Sequence, residues 1–200
     1  MTSAEAALDR LCDPTYEVSA HYLIAEDGRA WHLVDDAHRA WHAGAGQWGG
    51  IQDVNSHSIG IELANDGATP FAEPQMMRLE GLLARLIGDH GIARHCVIGH
   101  SDMAPDRKQD PGRRFDWRRL ACQNLAVWPE PGDSDAPFWE SAQAFGYVPP
   151  ADCPNPEELV LDAFRQRFRP WAFGAETELD RALMQDLARR YPVDRDPVVA

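Results

Sequence analysis

The sequence predicts an α/β fold, with a mixed central β-sheet flanked by helices and a small three-helix module after it. Three stretches carry that expectation. SIGIELAN, residues 58–65, alternates so that Ile59, Ile61 and Leu63 share one face of a strand and Ser58, Gly60 and Glu62 the other. PQMMRLEGLLARLIGDH, residues 74–90, repeats Met76, Leu79, Leu83, Leu86 and Ile87 at helical spacing. WPEPGDSDAP, residues 128–137, is a Pro/Gly/Asp-rich linker, and three further amphipathic stretches follow it.

The elements follow in chain order. Residues 3–11 form a helix with Ser3 as N-cap. Val18 to Ile24 and Ala30 to Val34 are strands that pair as a hairpin across the turn Glu26-Asp27-Gly28. The glycine-rich loop GAGQWGG, residues 44–50, carries one exposed-looking aromatic, Trp48. After the 58–65 strand, Pro74 opens the long helix, Gly91 ends it, and Ala93 to Ile98 forms a further strand. Strand, helix and strand from 58 to 98 have the length of a parallel crossover, which places functional loops at C-terminal strand ends. Glu62 and His100 lie near such ends. Trp117 to Leu125 is a helix, and Phe138–Phe145, Glu157–Phe168 and Thr177–Tyr191 are the three helices of the module. The division is therefore 1–127 for the first domain, 128–137 for the linker and 138–192 for a module near the lower size limit for folding alone.

Composition removes several function classes. The net charge of −13 argues against nucleic acid, whose binding needs Lys and Arg to replace counterions. No stretch approaches the ~18 apolar residues of a membrane span. Cys12, Cys96, Cys122 and Cys153 form no CxxC pair and suit free thiols in a reducing compartment. MTSAEAALDRLCD has neither the basic nor the apolar region of a secretion signal. The expectation is a cytoplasmic monomer.

The chemistry gathers in GHSDMAPDRKQDPG, residues 99–112, where His100, Asp106, Lys108 and Asp110 lie close together. Imidazole and carboxylate are both zinc ligands, and a catalytic zinc takes three protein ligands plus an open position. His100 and Asp110 are the candidate pair, although their spacing fits a polar loop as well. Lys108 stands where it would stabilise an oxyanion, and Glu62 would act as a proton acceptor. His32, His38, His90 and His95 read as surface residues, and His57 is ambiguous. His42, in RAWHAG, reads as a pocket wall.

The ordered set SAHYLI, DGRAWHLV, AWHAG, NSHSIGIEL and VIGHSDMAPDRKQDPG resembles the zinc-dependent N-acetylmuramoyl-L-alanine amidases, a family related to peptidoglycan recognition proteins. The resemblance covers residues 1–127, and AFGY and AFRQRFRP in residues 138–192 are similar to a helical peptidoglycan-binding-like module. It implies zinc held by His100 and Asp110 as second and third ligands, Glu62 as catalytic carboxylate and Lys108 beside the tetrahedral intermediate. It also implies His42 and Trp48 in segments lining the substrate groove. The implied substrate is peptidoglycan or its muropeptide fragments.

One departure stands out. The family's first zinc ligand is a His ending an N-terminal strand, in a segment like HYT, and here it would fall at or a few residues before Met1. His21 belongs to a different motif. Two functions therefore remain open: a zinc amidase, or a non-catalytic peptidoglycan-binding protein that lacks one ligand. Glycoside hydrolysis by Glu62 and an Asp of the loop leaves His100 and Lys108 without roles. A leader preceding the chain would make the location periplasmic.

Overall fold

The computed structural model describes residues 3–193. The expected position of a first metal-ligating His, at or before Met1, lies outside them. Helix α1 (Ala4–Cys12) starts where Ser3 Oγ accepts the Ala6 N–H at 3.1 Å. It buries Ala4 and Ala7, and Ala4 packs with Ala25 and Ala64, at the ends of two strands. Such small side chains let the helix approach the sheet closely.

Strands β1 (Tyr22–Ile24), β2 (Ala30–His32) and β3 (Ile61–Leu63) form a mixed sheet in the order β2-β1-β3. β1 and β2 are the expected antiparallel hairpin, and Gly28 turns it with φ of 84°. β1 and β3 run parallel, with Leu23 opposite Glu62. Helix α2 (Glu73–His90) covers one face with Met76, Leu79, Leu83 and Leu86, and Gly91 closes it in the left-handed region at φ 64°. Gln75 is fully buried, and its amide donates to the carbonyls of Ile24 and Ala64 at 2.9 and 3.0 Å. It thus gives the Ala64 carbonyl a donor and adds a second one to the Ile24 carbonyl, which already accepts the Ala64 N–H at 2.9 Å.

The structure corrects the expected crossover. Residues 93–98 are not a strand: Arg94–Cys96 is a single 3₁₀ turn, and β3 takes β1 as its parallel neighbour. The Val97 carbonyl is bonded to the Arg167 guanidinium at 2.9 Å, not to a strand. Between β3 and the 97–99 segment lies a cavity of about 560 Å³, lined by Ile61, Leu63, Leu83 and Phe115 on its apolar side.

Helices α3 (His100–Met103) and α4 (Trp117–Cys122) follow, then α5 (Phe138–Phe145), α6 (Pro156–Phe168) and α7 (Glu178–Arg190). The last three do not close on themselves. Phe138, Phe145, Phe164, Phe168 and Leu187 share one buried cluster with Trp48, Val54, Met103 and Ala104 of the first part. Residues 128–137 run along α7: Arg190 donates to the Trp128 carbonyl at 2.6 Å, and Asp186 accepts the Glu130 N–H at 2.9 Å. Among the described residues, no helix is long and apolar enough to cross a membrane.

Candidate active site

Five of the six expected site residues, His42, Trp48, Glu62, His100 and Asp110, line the cavity. His100 opens α3 and Asp110 ends the loop behind it. Their backbones are tied directly, because Ser101 N–H donates to the Asp110 carbonyl at 3.0 Å. Gly99 makes that closeness feasible: a Cβ there would stand 2.7 Å from Pro111 Cδ.

The His100 ring is aimed by its second nitrogen. Nε2 lies 2.7 Å from the Ala43 carbonyl, an acceptor only, so Nε2 carries the hydrogen. Nδ1 then presents its lone pair toward Asp110 Oδ2, 3.1 Å away. An unprotonated nitrogen and a carboxylate oxygen at that distance need a second ring proton or a cation between them. Two donors each ~2.0–2.1 Å from a tetrahedral zinc lie ~3.3 Å apart, so this pair fits the ion. The backbone-bonded outer nitrogen is also the usual support for a metal-ligating His. Among the described residues no third side chain completes the set. His21 cannot: it is buried, its Nδ1 accepts the Gly60 N–H at 2.9 Å, and its Nε2 donates to the His38 carbonyl at 3.0 Å.

Glu62 sits mid-strand on β3. Burial pushes its carboxyl above the ordinary value, and the Asp110 carboxylate adds to the rise. Asp110 goes the other way: loss of water raises it, but a second ring proton on His100, at the Nδ1 position a cation would otherwise fill, brings it below the ordinary value by hydrogen bond and charge. Lys108 is not among the residues that line the cavity, and its positive charge has only a small lowering effect on both carboxylates. Asp106 is exposed outside it.

His42 packs over Gly60, two residues before Glu62 on the same face of the chain. A Cβ on Gly60 would come within 2.2 Å of the imidazole. Burial lowers the His42 pKa to about 4, with the neighbouring His21 adding to the shift, so the ring is neutral near pH 7. Its Nε2 is buried without a partner. Asn55 holds this wall, its Oδ1 accepting the N–H groups of His42 and Ala43 at 3.0 and 2.8 Å.

Trp48 needs a correction. It is not exposed but 7% accessible, because its ring stands edge-on to Phe145 and Tyr147, which come from the C-terminal helices. It still lines the cavity, and its indole N–H is buried and unpartnered. His32 and His90, expected at the surface, both reach Asp36, at 3.4 and 3.3 Å. Residue types alone did not reveal the Ala43 carbonyl, Asn55 or Asp102, whose roles depend on segments distant in sequence.

Comparison with known proteins agrees with this geometry. Residues 1–113 match the family model described as Amidase_2, N-acetylmuramoyl-L-alanine amidase. The chain is 33% identical to the N-acetylmuramoyl-L-alanine amidase AmiD of Escherichia coli K12 over 211 residues, covering 89% of this chain and 76% of that protein. It is 42% identical to the 1,6-anhydro-N-acetylmuramyl-L-alanine amidase AmpD of Enterobacter cloacae over 103 residues, 52% of this chain and 55% of that one. Among solved structures, E. coli AmiD in complex with anhydro-N-acetylmuramic acid-L-Ala-D-gamma-Glu-L-Lys superposes with a TM-score of 0.84 at 31% identity, covering 94% of this chain and 84% of that one. AmpDh3 of Pseudomonas aeruginosa gives 0.84 at 27% identity, over 96% of this chain and 89% of that one. Both superpositions take in the C-terminal helices, which a 103-residue match is too short to include along with the site. This chain belongs to the Amidase_2 family of N-acetylmuramoyl-L-alanine amidases, and it is an amidase.

Proposed function

We propose that the chain hydrolyses the amide between N-acetylmuramic acid and L-alanine in muropeptides, with zinc held by His100 and Asp110. The observation that carries this is His100 Nδ1 facing Asp110 Oδ2 at 3.1 Å, a separation that suits two ligands of one zinc, with the outer His nitrogen fixed on a backbone carbonyl. Bound zinc supplies Lewis acidity that polarises the amide carbonyl. Glu62, its pKa raised by burial, takes the proton from the attacking water and returns it to the departing alanine nitrogen. Lys108 offsets the negative charge that develops on the carbonyl oxygen. His42, neutral and with Nε2 unspent, lines the pocket as a hydrogen-bonding wall, and Trp48 lines the same cavity.

No third donor stands beside His100 and Asp110 among the described residues, where β3 is an edge strand whose residues 61–63 line the cavity. A non-catalytic binding protein is the second reading, favoured by the incomplete ligand set among the described residues. We place the reaction in the cytoplasm, which four free cysteines suit.

The test is Glu62→Gln. Zinc content should stay at the parent level while hydrolysis of an anhydromuropeptide falls about 10²-fold or more. Near-parent turnover would remove Glu62 from the mechanism. A parent protein that binds muropeptide without cleaving it, zinc present, would establish the binding reading instead.

A further inference from the structure

Asp102, two residues beyond His100, is buried with a formal charge and 1% side-chain exposure. Its Oδ2 accepts the Gly99 N–H at 2.8 Å and a proton of Arg167 at 2.9 Å, and its Oδ1 accepts the Tyr147 hydroxyl at 2.7 Å. Arg167 is equally buried; its other terminal nitrogen donates to the Val97 carbonyl at 2.9 Å, and its guanidinium lies 4.4 Å from the Trp117 ring centroid. Gly99 and Val97 precede His100, and Asp102 follows it. The polar contacts of this cluster therefore bracket His100 on both sides.

Arg167 lies on α6 and Tyr147 follows α5, so both reach the bracket from the C-terminal helices. Burying an ion pair is a poor way to gain stability, since well-packed apolar residues serve as well or better. The Arg167 Nε is moreover left without a partner, so the pair is not optimised for stability. What the cluster delivers is direction. It fixes the backbone on which the His100 ring pivots, while Ala43 fixes the ring's outer nitrogen.

We propose that Asp102, Arg167 and Tyr147 are positioning residues, through which the C-terminal helices aim His100 and set the metal affinity of the site. The proposal rests on His100 and Asp110 holding a metal. It gives residues 138–193 a role in the reaction centre itself, apart from any grip on the polymer.

The experiment uses the full chain and two variants. Asp102→Asn with Arg167→Met removes both charges together, so neither is left buried and unpaired, and Tyr147→Phe removes one hydrogen bond. Three quantities are read: the zinc dissociation constant by chelator competition, the visible spectrum of the cobalt form, and, without metal, the ¹⁵N signature of the His100 tautomer with amide exchange in residues 99–111 against residues 22–24. The paired variant should weaken zinc about 10- to 100-fold and alter the cobalt spectrum. It should also mix the His100 tautomers and speed exchange in the loop but not in β1. Tyr147→Phe should move each readout the same way by less, and it decides the matter if the paired variant does not fold.

Unchanged zinc affinity, tautomer and loop exchange, with only a lower melting temperature, would overturn the proposal and leave the cluster as packing. If the parent chain binds no zinc, the metal assignment fails. The metal-free tautomer and loop exchange then still decide whether the cluster aims His100.

Discussion

At the scale of single residues, the site is shaped as much by what is absent from a side chain as by what is present. Gly60 leaves room for the His42 imidazole where any Cβ would overlap it at 2.2 to 2.6 Å. Gly60→Ala should therefore displace the ring and cost about 1–3 kcal/mol. Thermal melts should show the loss, and the His42 ring resonances should move. An unchanged melt and an unchanged ring would mean that His42 is free to swing and is no fixed wall. Glu62, His100 and Asp110, which the structure brings to one cavity, were legible in the sequence because their chemistry is written in residue type and their order in motifs. Asp102 was not. A buried carboxylate is recognised by its partners, and Tyr147 and Arg167 stand 45 and 65 residues away. Trp48 misled for the same reason. A glycine-rich loop exposes its aromatic unless something covers it, and the cover, Phe145 and Tyr147, comes from much later in the chain.

At the scale of elements, the longer helices were legible nearly to their ends, because periodicity and caps are local. The one-turn helix His100–Met103 reads in the sequence as loop, and the helix expected over Trp117 to Leu125 stops at Cys122. Phe138–Phe145 was read to the residue, and α7 runs from Thr177 as N-cap. The strands came out much shorter than their alternating stretches, since a ladder needs a neighbour, and Val97 spends its carbonyl on Arg167. α7 also carries a pH-dependent contact. Burial raises the Asp180 pKa, but hydrogen bonds from Arg165, Thr177 and Arg169 more than reverse this and hold it far below the ordinary value of 3.8. As pH falls the unfolded chain takes up this proton first, so the stabilisation is full above about pH 4 and drains away below it. Melting temperature should drop steeply below pH 4 in the parent. Asp180→Asn should flatten that part of the profile, while costing about 3–5 kcal/mol at neutral pH through the buried Arg165 it leaves unpaired. An equally steep acid limb in the variant would assign the sensitivity to other carboxylates.

At the scale of the whole molecule, the question is whether residues 138–193 form a separate body. The composition break at 128–137 suggests a hinge, yet that segment is bonded along α7. The buried cluster passes from Trp48 and Met103 into Phe145, Phe164 and Phe168 without a gap. Gly146 makes the seam tight, since a Cβ there would meet the Trp48 indole at 2.7 Å. A module of about 55 residues supplies little core alone, and here part of that core belongs to the amidase half. Calorimetry should accordingly show one cooperative transition, with its calorimetric and van't Hoff enthalpies equal. A chain ending at residue 137 would expose the aromatic seam and leave Asp102 buried beneath it without Tyr147 or Arg167. It should aggregate, or lose fixed tertiary structure by near-ultraviolet dichroism, instead of yielding a smaller folded amidase. Two resolved transitions in the parent, or a folded fragment with parent metal affinity, would show that the halves are independent. The link from the C-terminal helices to His100 would then be broken at its first step.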